Sequence, residues 1–284
     1  MIGSIQAWRR EWDRFELPED AIPAHPELGL RYPWQELILR SMSALHRHKV
    51  KVAMARMREA LSLRVDWRLS WSAGKDSTAL AGIAAASGYP LRAIAEKDDL
   101  DYPGEEVYLQ KLGAFFGHTV EVLRPSISLL AWLAEQKIDL SNDLHSQAAS
   151  LSREHFYGVL AKHRKEHGYT GVILGLRANE SKHRAKNRAT HGWLYQKTDG
   201  LWVACPLADW EDMDVHAYLL AQNLPLLPMY FCIDPGMDPL KLRKSWWVAG
   251  GEAASRGHYL WLRRWFPGLW EQAAHVDPRI RLIS

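Results

Sequence analysis

The feature that most constrains this chain is a β-prone segment, residues 65–71, that runs through Ser72-Ala73-Gly74 into Lys75-Asp76-Ser77-Thr78 and the apolar run 79–86. A strand, a small-residue loop and a helix in immediate succession leave the first helical N–H groups and the positive helix end facing outward, which suits a phosphate. Small residues at Ser72, Ala73 and Gly74 let the backbone approach an anion closely, and Lys75 adds a mobile positive charge. Ser77 and Thr78 can cap the helix or bond phosphate oxygens, while Asp76 has the chemistry to hold a magnesium ion or an incoming amine. The spacing G-x-x-x-x-G-K-[ST] is absent, because Asp76 follows Lys75 and Leu69 stands where the upstream glycine belongs. An alanine held at positive φ costs about 1–2 kcal/mol, so Ala73 either strains this loop or occupies an ordinary backbone region.

Around this stretch the chain alternates strand and helix. The pattern predicts strand 67–72, helix 76–87, strand 91–96, helix 104–117, strand 119–123, helices 126–136 and 152–167, and strand 171–175. That order specifies an α/β, doubly wound, mostly parallel sheet of five strands covered by helices on both faces, with ligands beyond the carboxyl ends of the strands. Residues 193–206 read as a hairpin turning through Thr198-Asp199-Gly200, followed by a helix from 212 to 222. Three units are expected: an arm and helices over 1–64, a nucleotide-binding α/β domain over 65–230, and a tryptophan-rich helical subdomain over 231–284. In the first, prolines at 18, 23, 26 and 33 allow at most one short helix before one long or two shorter amphipathic helices over 34–63, interrupted at His46-Arg47-His48-Lys49. Residues 138–150 read as a polar insertion or lid. The fourteen tryptophans, including Trp246, Trp247, Trp261, Trp265 and Trp270, are assigned mainly to packing.

Ser70-Trp71-Ser72-Ala73-Gly74-Lys75-Asp76-Ser77-Thr78 resembles the S-[FW]-S-G-G-K-D-S-T form of the PP-loop found in the PAPS reductase family, with Ala73 in place of the first glycine. Three more segments follow in the family's order. Asp98 and its neighbours through Glu106 resemble the segment that frames adenosine, with Asp98 preferred to Asp99. Gly175-Leu176-Arg177-Ala178-Asn179-Glu180-Ser181-Lys182-His183-Arg184 resembles G-x-R-x-x-E-S-x-x-R, whose arginines meet phosphates or sulfate. Guanidinium groups suit bidentate oxyanion binding, so Arg177 and Arg184 make a candidate two-sided clamp with Glu180 orienting one of them. The block from Pro206 through Trp210 and Val215 to Tyr230 resembles a further block of the same family and reads as a packing element. The resemblance implies an adenine nucleotide α-hydrolase-like fold and ATP or PAPS as substrate. In that reading Ser70, Ser72, Ala73, Gly74, Ser77, Thr78, Asp98, Gly175, Glu180 and Ser181 line the nucleotide, and Lys75, Asp76, Arg177 and Arg184 are catalytic. Asp76 would place Mg2+.

Sulfonucleotide reductases of the family use a cysteine in a C-terminal E-C-G-[IL]-H segment, whereas this sequence ends Pro278-Arg279-Ile280-Arg281-Leu282-Ile283-Ser284. Only Cys205 and Cys232 are present, so no Fe–S cluster and no disulfide framework are expected, and thiol-dependent PAPS reduction is disfavoured. Cys205 reads as buried filler and Cys232 as the one thiol in a loop. What the superfamily implies instead is attack on the α-phosphorus with release of pyrophosphate. The alternatives are a nucleotide-sensing protein without turnover and a divergent phosphoadenylyl-sulfate reductase. Family members that carry this loop without the cysteine occur beside phage and mobile-element genes. A net charge of +3 does not announce a nucleic-acid binder, but basic stretches at 40–68 and 177–197 and the tryptophan-rich tail leave room for nucleic acid or a protein partner. No 18-residue apolar run or signal-type segment is seen, so a membrane is not expected and the cytoplasm is. An oligomer is compatible with all of this.

Overall fold

The computed structural model describes residues 4–98, 101–136, 158–244 and 259–282. The chain opens with α1 (Ile5–Arg14), whose first turn is capped by Ser4 Oγ accepting from the Ala7 N–H. Trp8 and Trp12 are fully buried against Phe231, and the Trp12 indole donates to Leu226 O at 2.7 Å. Each such burial is worth about 1.5–3 kcal/mol, so the arm is fastened to the body by its apolar face. Two helices follow, α2 (Trp34–Met42) and α3 (Ala44–Ser62). The break falls at Ser43, not at His46-Arg47-His48-Lys49, because Ser43 is extended and caps α3 by accepting from His46 N–H at 3.1 Å.

From there β1 (Trp67–Ser70), α4 (Lys75–Ala86), β2 (Arg92–Glu96), α5 (Glu105–Phe116), β3 (Thr119–Leu123) and α6 (Leu129–Gln136) alternate. Then come α7 (Gly158–His167), β4 (Gly171–Ile173), α8 (Lys182–His191), β5 (Leu194–Gln196), β6 (Trp202–Ala204) and α9 (Asp212–Ala221). The C-terminal part contributes α10 (Tyr259–Trp265) and α11 (Pro267–Val276). No helix among the described residues is long and apolar enough to cross a membrane. The expected insertion 138–150, the first part of the helix expected over 152–167, Asp99, Trp246 and Trp247 lie outside the described residues.

The sheet has six strands in the order β3-β2-β1-β4-β6-β5, five of them parallel. The expected five became six because both arms of the 193–206 hairpin join it. β6 lies parallel to β4, with Trp202 N–H donating to Thr170 O and Leu174 N–H to Ala204 O, and β5 closes the edge antiparallel to β6. Pairing satisfies an edge that β4 would otherwise expose. Side chains alternate across the sheet with period two. Leu69, Ala93, Ala95, Ile173 and Ala204 face the main core under α3, α4, α5 and α9, whereas Ile94, Leu123 and Val203 face the opposite side, where α7 covers Ile94 and Leu123. The main core continues through Trp261, Trp265 and Trp270, so packing accounts for the described tryptophans of the tail.

β1 lies where the order reverses. The chain steps from β1 through β2 to β3 on one side, then places β4 and β6 on the other. Loops leaving β1 and β4 therefore flank a crevice at their carboxyl ends, the place where such sheets take ligands.

Candidate nucleotide site

The loop after β1 carries its strain on Ala73. This residue is fully buried with φ 60°, while Gly74 is extended at φ −68° and α4 starts at Lys75. Of the two sequence expectations the strained one holds, at a cost of about 1–2 kcal/mol relative to glycine. Ser72 stands exposed at the lip with its Oγ 3.2 Å from Ser77 Oγ, which in turn donates to Gly74 O. Ser70, the last residue of β1, is half-buried. Thr78 is fully buried and does not face the opening. Its Oγ1 accepts from the Trp71 indole at 3.2 Å and lies 3.2 Å from the Tyr108 hydroxyl, so it forms the floor of the loop.

Lys75 is also buried, with Nζ 3.2 Å from Asp76 Oδ2 and 3.3 Å from Leu242 O, and its N–H donates to the Tyr230 hydroxyl at 2.9 Å. Gly175, at the exit of β4, lies directly on the first turn of α4. A Cβ there would sit 2.9 Å from the Asp76 carbonyl carbon and 3.0 Å from Ser77 N, so only glycine permits this approach. Two residues on, Arg177 is buried between carboxylates: Nε donates to Asp76 Oδ1 at 2.5 Å, Nη2 to Asp212 Oδ1 at 2.6 Å, and Nη1 to Asn179 Oδ1 at 2.8 Å. Lys241 completes the cluster at 2.8 Å from Asp212 Oδ2. Burial raises Asp76, but Lys75 and Arg177 outweigh it and leave the group below the usual carboxylate range. Asp212 is likewise opposed by burial, yet Lys241 and Arg177 bring it to about 2.

Arg184 is not brought to the same opening. It pairs with Glu180, whose Oε2 also accepts the Arg177 N–H at 2.8 Å, and Ser181 caps α8 by accepting from the Arg184 N–H. A two-sided arginine clamp is thus not assembled in this conformation, since Arg177 turns inward and Arg184 turns along α8. Asp98 is held at the start of α6, its Oδ1 accepting from Leu129 N–H at 2.7 Å. Beside it lies a second buried cluster: Lys97 pairs with Glu105 and, at 3.3 Å, with Asp101, and Lys244 reaches Asp101 and Glu105 at 2.9 Å each. Burial, then the neighbouring Lys244, push Lys97 down to about 7, while burial and Asp101 push Glu96 up to about 7.

The donor set does not fit a magnesium ion held by Asp76. Each carboxylate oxygen of Asp76 and Asp212 already faces a cation: Arg177 and Lys75 at Asp76, Arg177 and Lys241 at Asp212. Three cations against two carboxylates leave one positive charge in excess, which favours an oxyanion. Neither thiol is placed for nucleophilic work. Burial pushes Cys205 up to about 12 and Cys232 well above the ordinary thiol range; Cys232, read from sequence as a loop thiol, is fully buried at the end of a 3-10 turn.

Asp212, Tyr230, Lys241 and Lys244 join these clusters without having been singled out as ligand-facing. Asp212 carried a signal, an acid in the first turn of a helix beside the Pro206–Tyr230 block, but that pattern reads equally as a helix cap. Lys241 and Lys244 lie in a segment with no periodicity to place them.

Fold, loop and crevice together define a nucleotide-binding α/β class built on a PP-loop. The chain belongs to the phosphoadenosine phosphosulfate reductase domain family, whose model matches residues 67–232. Among curated proteins it is similar to sulfate adenylyltransferase subunit 2 of Rhizobium sp. (strain BR816), 29% identical over 85 residues, covering 23% of this chain and 28% of that protein. The same subunit of Rhodospirillum rubrum is 24% identical over 182 residues, covering 57% of this chain and 60% of that protein. The matches thus span less than two thirds of those relatives. In fold the chain resembles the phosphoadenylyl-sulfate (PAPS) reductase of Candida auris, solved as a phosphate complex. Its TM-score is 0.50 at 16% identity over 66% of this chain and 91% of that one.

Proposed function

We propose that the chain binds an adenine nucleotide, ATP or PAPS, with its phosphates over Ser72–Ser77 and, with ATP, transfers or cleaves at the α-phosphate. The observation that carries this reading is the ionic cluster at the N-terminus of α4, in which buried Lys75 and Arg177 balance Asp76 and Asp212 and the exposed Lys241 adds one positive charge, set at the point where strand order reverses. An acceptor oxygen or nitrogen attacks the α-phosphorus, the bond from phosphorus to its bridging oxygen breaks, and that electron pair leaves on pyrophosphate. Lys75 and Arg177 neutralise the charge gathering on the leaving group, and Ser72 and Ser77 donate hydroxyls to it. These preorganised groups supply electrostatic stabilisation and no protein nucleophile. Arg184, one turn into α8, would reach the nucleotide by exchanging Glu180 for a phosphate, and Asp98 would face the adenosine. The curated relatives named as sulfate adenylyltransferase subunits support adenylyl transfer as the reaction class. The buried, protonated thiols weigh against reduction of a bound sulfonucleotide by this chain's own cysteines.

A second reading, nucleotide sensing without turnover, is favoured by one observation: every guanidinium nitrogen of Arg177 already has an internal partner, so the closed network can hold the loop ready without participating in chemistry. Incubation with α-labelled ATP, magnesium and candidate acceptors separates the readings. Adenylyl chemistry predicts AMP or an adenylated product together with pyrophosphate, lost in Lys75→Ala. Tight binding with no product over hours supports sensing, and neither binding nor product would overturn both.

A further inference from the structure

On the sheet face opposite the main core, β3 and α7 place three ligand-type side chains together. Leu123 of β3 packs with Val159 and Leu160 of α7, and the period-two alternation puts Glu121 on that same face. His163 and His167 are one turn apart on α7 and therefore share its surface. His163 Nε2 lies 3.2 Å from Glu121 Oε2, His167 Nε2 lies 4.0 Å from Glu121 Oε1, and the two imidazole centroids are 4.2 Å apart. One ligand atom from each of the three residues falls within 4.8 Å of the others.

A second observation points to a ligand. His163 is only 5% exposed; its Nδ1 has no hydrogen-bond partner among the described residues, and its Nε2, though 3.2 Å from Glu121 Oε2, is not aligned for a hydrogen bond. Burying such a group unsatisfied costs about 1–3 kcal/mol, a penalty that a bond from a ring nitrogen to a metal removes. Two imidazoles and a carboxylate suit a borderline divalent transition ion and are poor ligands for magnesium or calcium, which prefer oxygen. Glu121 and His167 are about half exposed, so the ion can enter from solvent and complete its shell with water.

We propose that Glu121, His163 and His167 bind one divalent transition-metal ion of the zinc class, clipping edge strand β3 to α7. The site is separate from the nucleotide crevice and takes no part in its chemistry. α7 leads directly into β4 and so to Gly175, so the clip steadies the scaffold of that loop.

The test uses the tag-free full chain, stripped with chelator and titrated with Zn2+ by calorimetry and with Co2+ by visible absorption. One saturable ion per chain is expected, with Co2+ bands of mixed nitrogen and oxygen ligation and a rise in thermal midpoint. His167→Gln and Glu121→Gln, both at exposed positions, should each lose at least about tenfold in affinity while the metal-free midpoint stays close to that of the unmodified chain. Absence of saturable uptake, or uptake unchanged in the Glu121→Gln, His167→Gln double variant, would overturn the proposal.

Discussion

Two ionic clusters stand at the carboxyl edge of the sheet, and they differ in what they leave over. The cluster after β1 and β4 sets Lys75, Arg177 and Lys241 against Asp76 and Asp212. The cluster after β2 balances Lys97 and Lys244 against Asp101 and Glu105. The first owes its excess positive charge to the exposed Lys241 and sits at a helix N-terminus; the second is neutral as paired. Residues 241–244 touch both, through Lys241, Leu242 O and Lys244. Charge balance, more than burial, thus separates a place that calls for an oxyanion from one that holds its surroundings still.

The sharpest way to break this contrast is to remove one cation from each cluster. Lys97→Met leaves Lys244 alone against two acids, the nearly fully buried Glu105 among them, and should cost about 3–5 kcal/mol in chemical denaturation. Arg177→Met leaves Lys75 on Asp76 and Lys241 on Asp212, a balanced set, and should cost about 1–3 kcal/mol; equal losses would erase the distinction. Next in size, Gly175→Ala presses a methyl onto the Asp76 backbone and should cost about 1–3 kcal/mol, read as a lower thermal midpoint.

His216 tests the cluster from behind. It is fully buried, its Nδ1 lies 2.6 Å from the Tyr32 hydroxyl, and burial, then the Lys75 charge, bring it down to about 3. Its folded value lies below the ordinary histidine range near 6.5, so the unfolded chain binds the extra proton between the two. Its contribution is complete above about pH 6.5 and is lost as pH falls toward 3, with a slope near 1.4 kcal/mol per pH unit. His216→Gln should flatten the stability profile between about pH 4 and 6; an unchanged slope would refute the assignment. Smallest of all, Ala73→Gly relieves about 1–2 kcal/mol of left-handed strain but gives up a buried methyl worth about 0.8 kcal/mol and adds backbone freedom. Its net effect should lie within about 0.5 kcal/mol of zero, and a loss beyond about 2 kcal/mol would mean that the methyl's packing dominates.

The fold was legible where short-range chemistry decides it. Strand 119–123 was read to the residue, and the loop with its helix was placed within a residue or two, because small residues, Lys75 and the apolar run leave few alternatives. The hairpin over 193–206 was read, but not that both its arms join the sheet, because membership of a sheet depends on which edge is free, a property of the assembled chain. Within the site, the closeness of the Gly175 and Lys75 loops follows from motif order, but the direction in which a guanidinium points does not. Arg177 and Arg184 lie seven positions apart in one motif, yet one is drawn inward by Asp76 and Asp212 while the other pairs with Glu180. Much of the basic stretch 40–68 is likewise committed internally: Arg40 and Lys49 pair with Asp214 and Arg56 with Asp209, partners that only the tertiary fold supplies.

The central claim is that the turn between β1 and α4 receives the phosphate chain of an adenine nucleotide. Equilibrium titration of the intact chain with ATP and with inorganic pyrophosphate, beside Lys75→Ala, tests it most directly. Saturable binding of both at one site per chain is expected, weakened about 10- to 100-fold in the variant. Binding that ignores the Lys75 substitution, or no binding of either ligand, would contradict it.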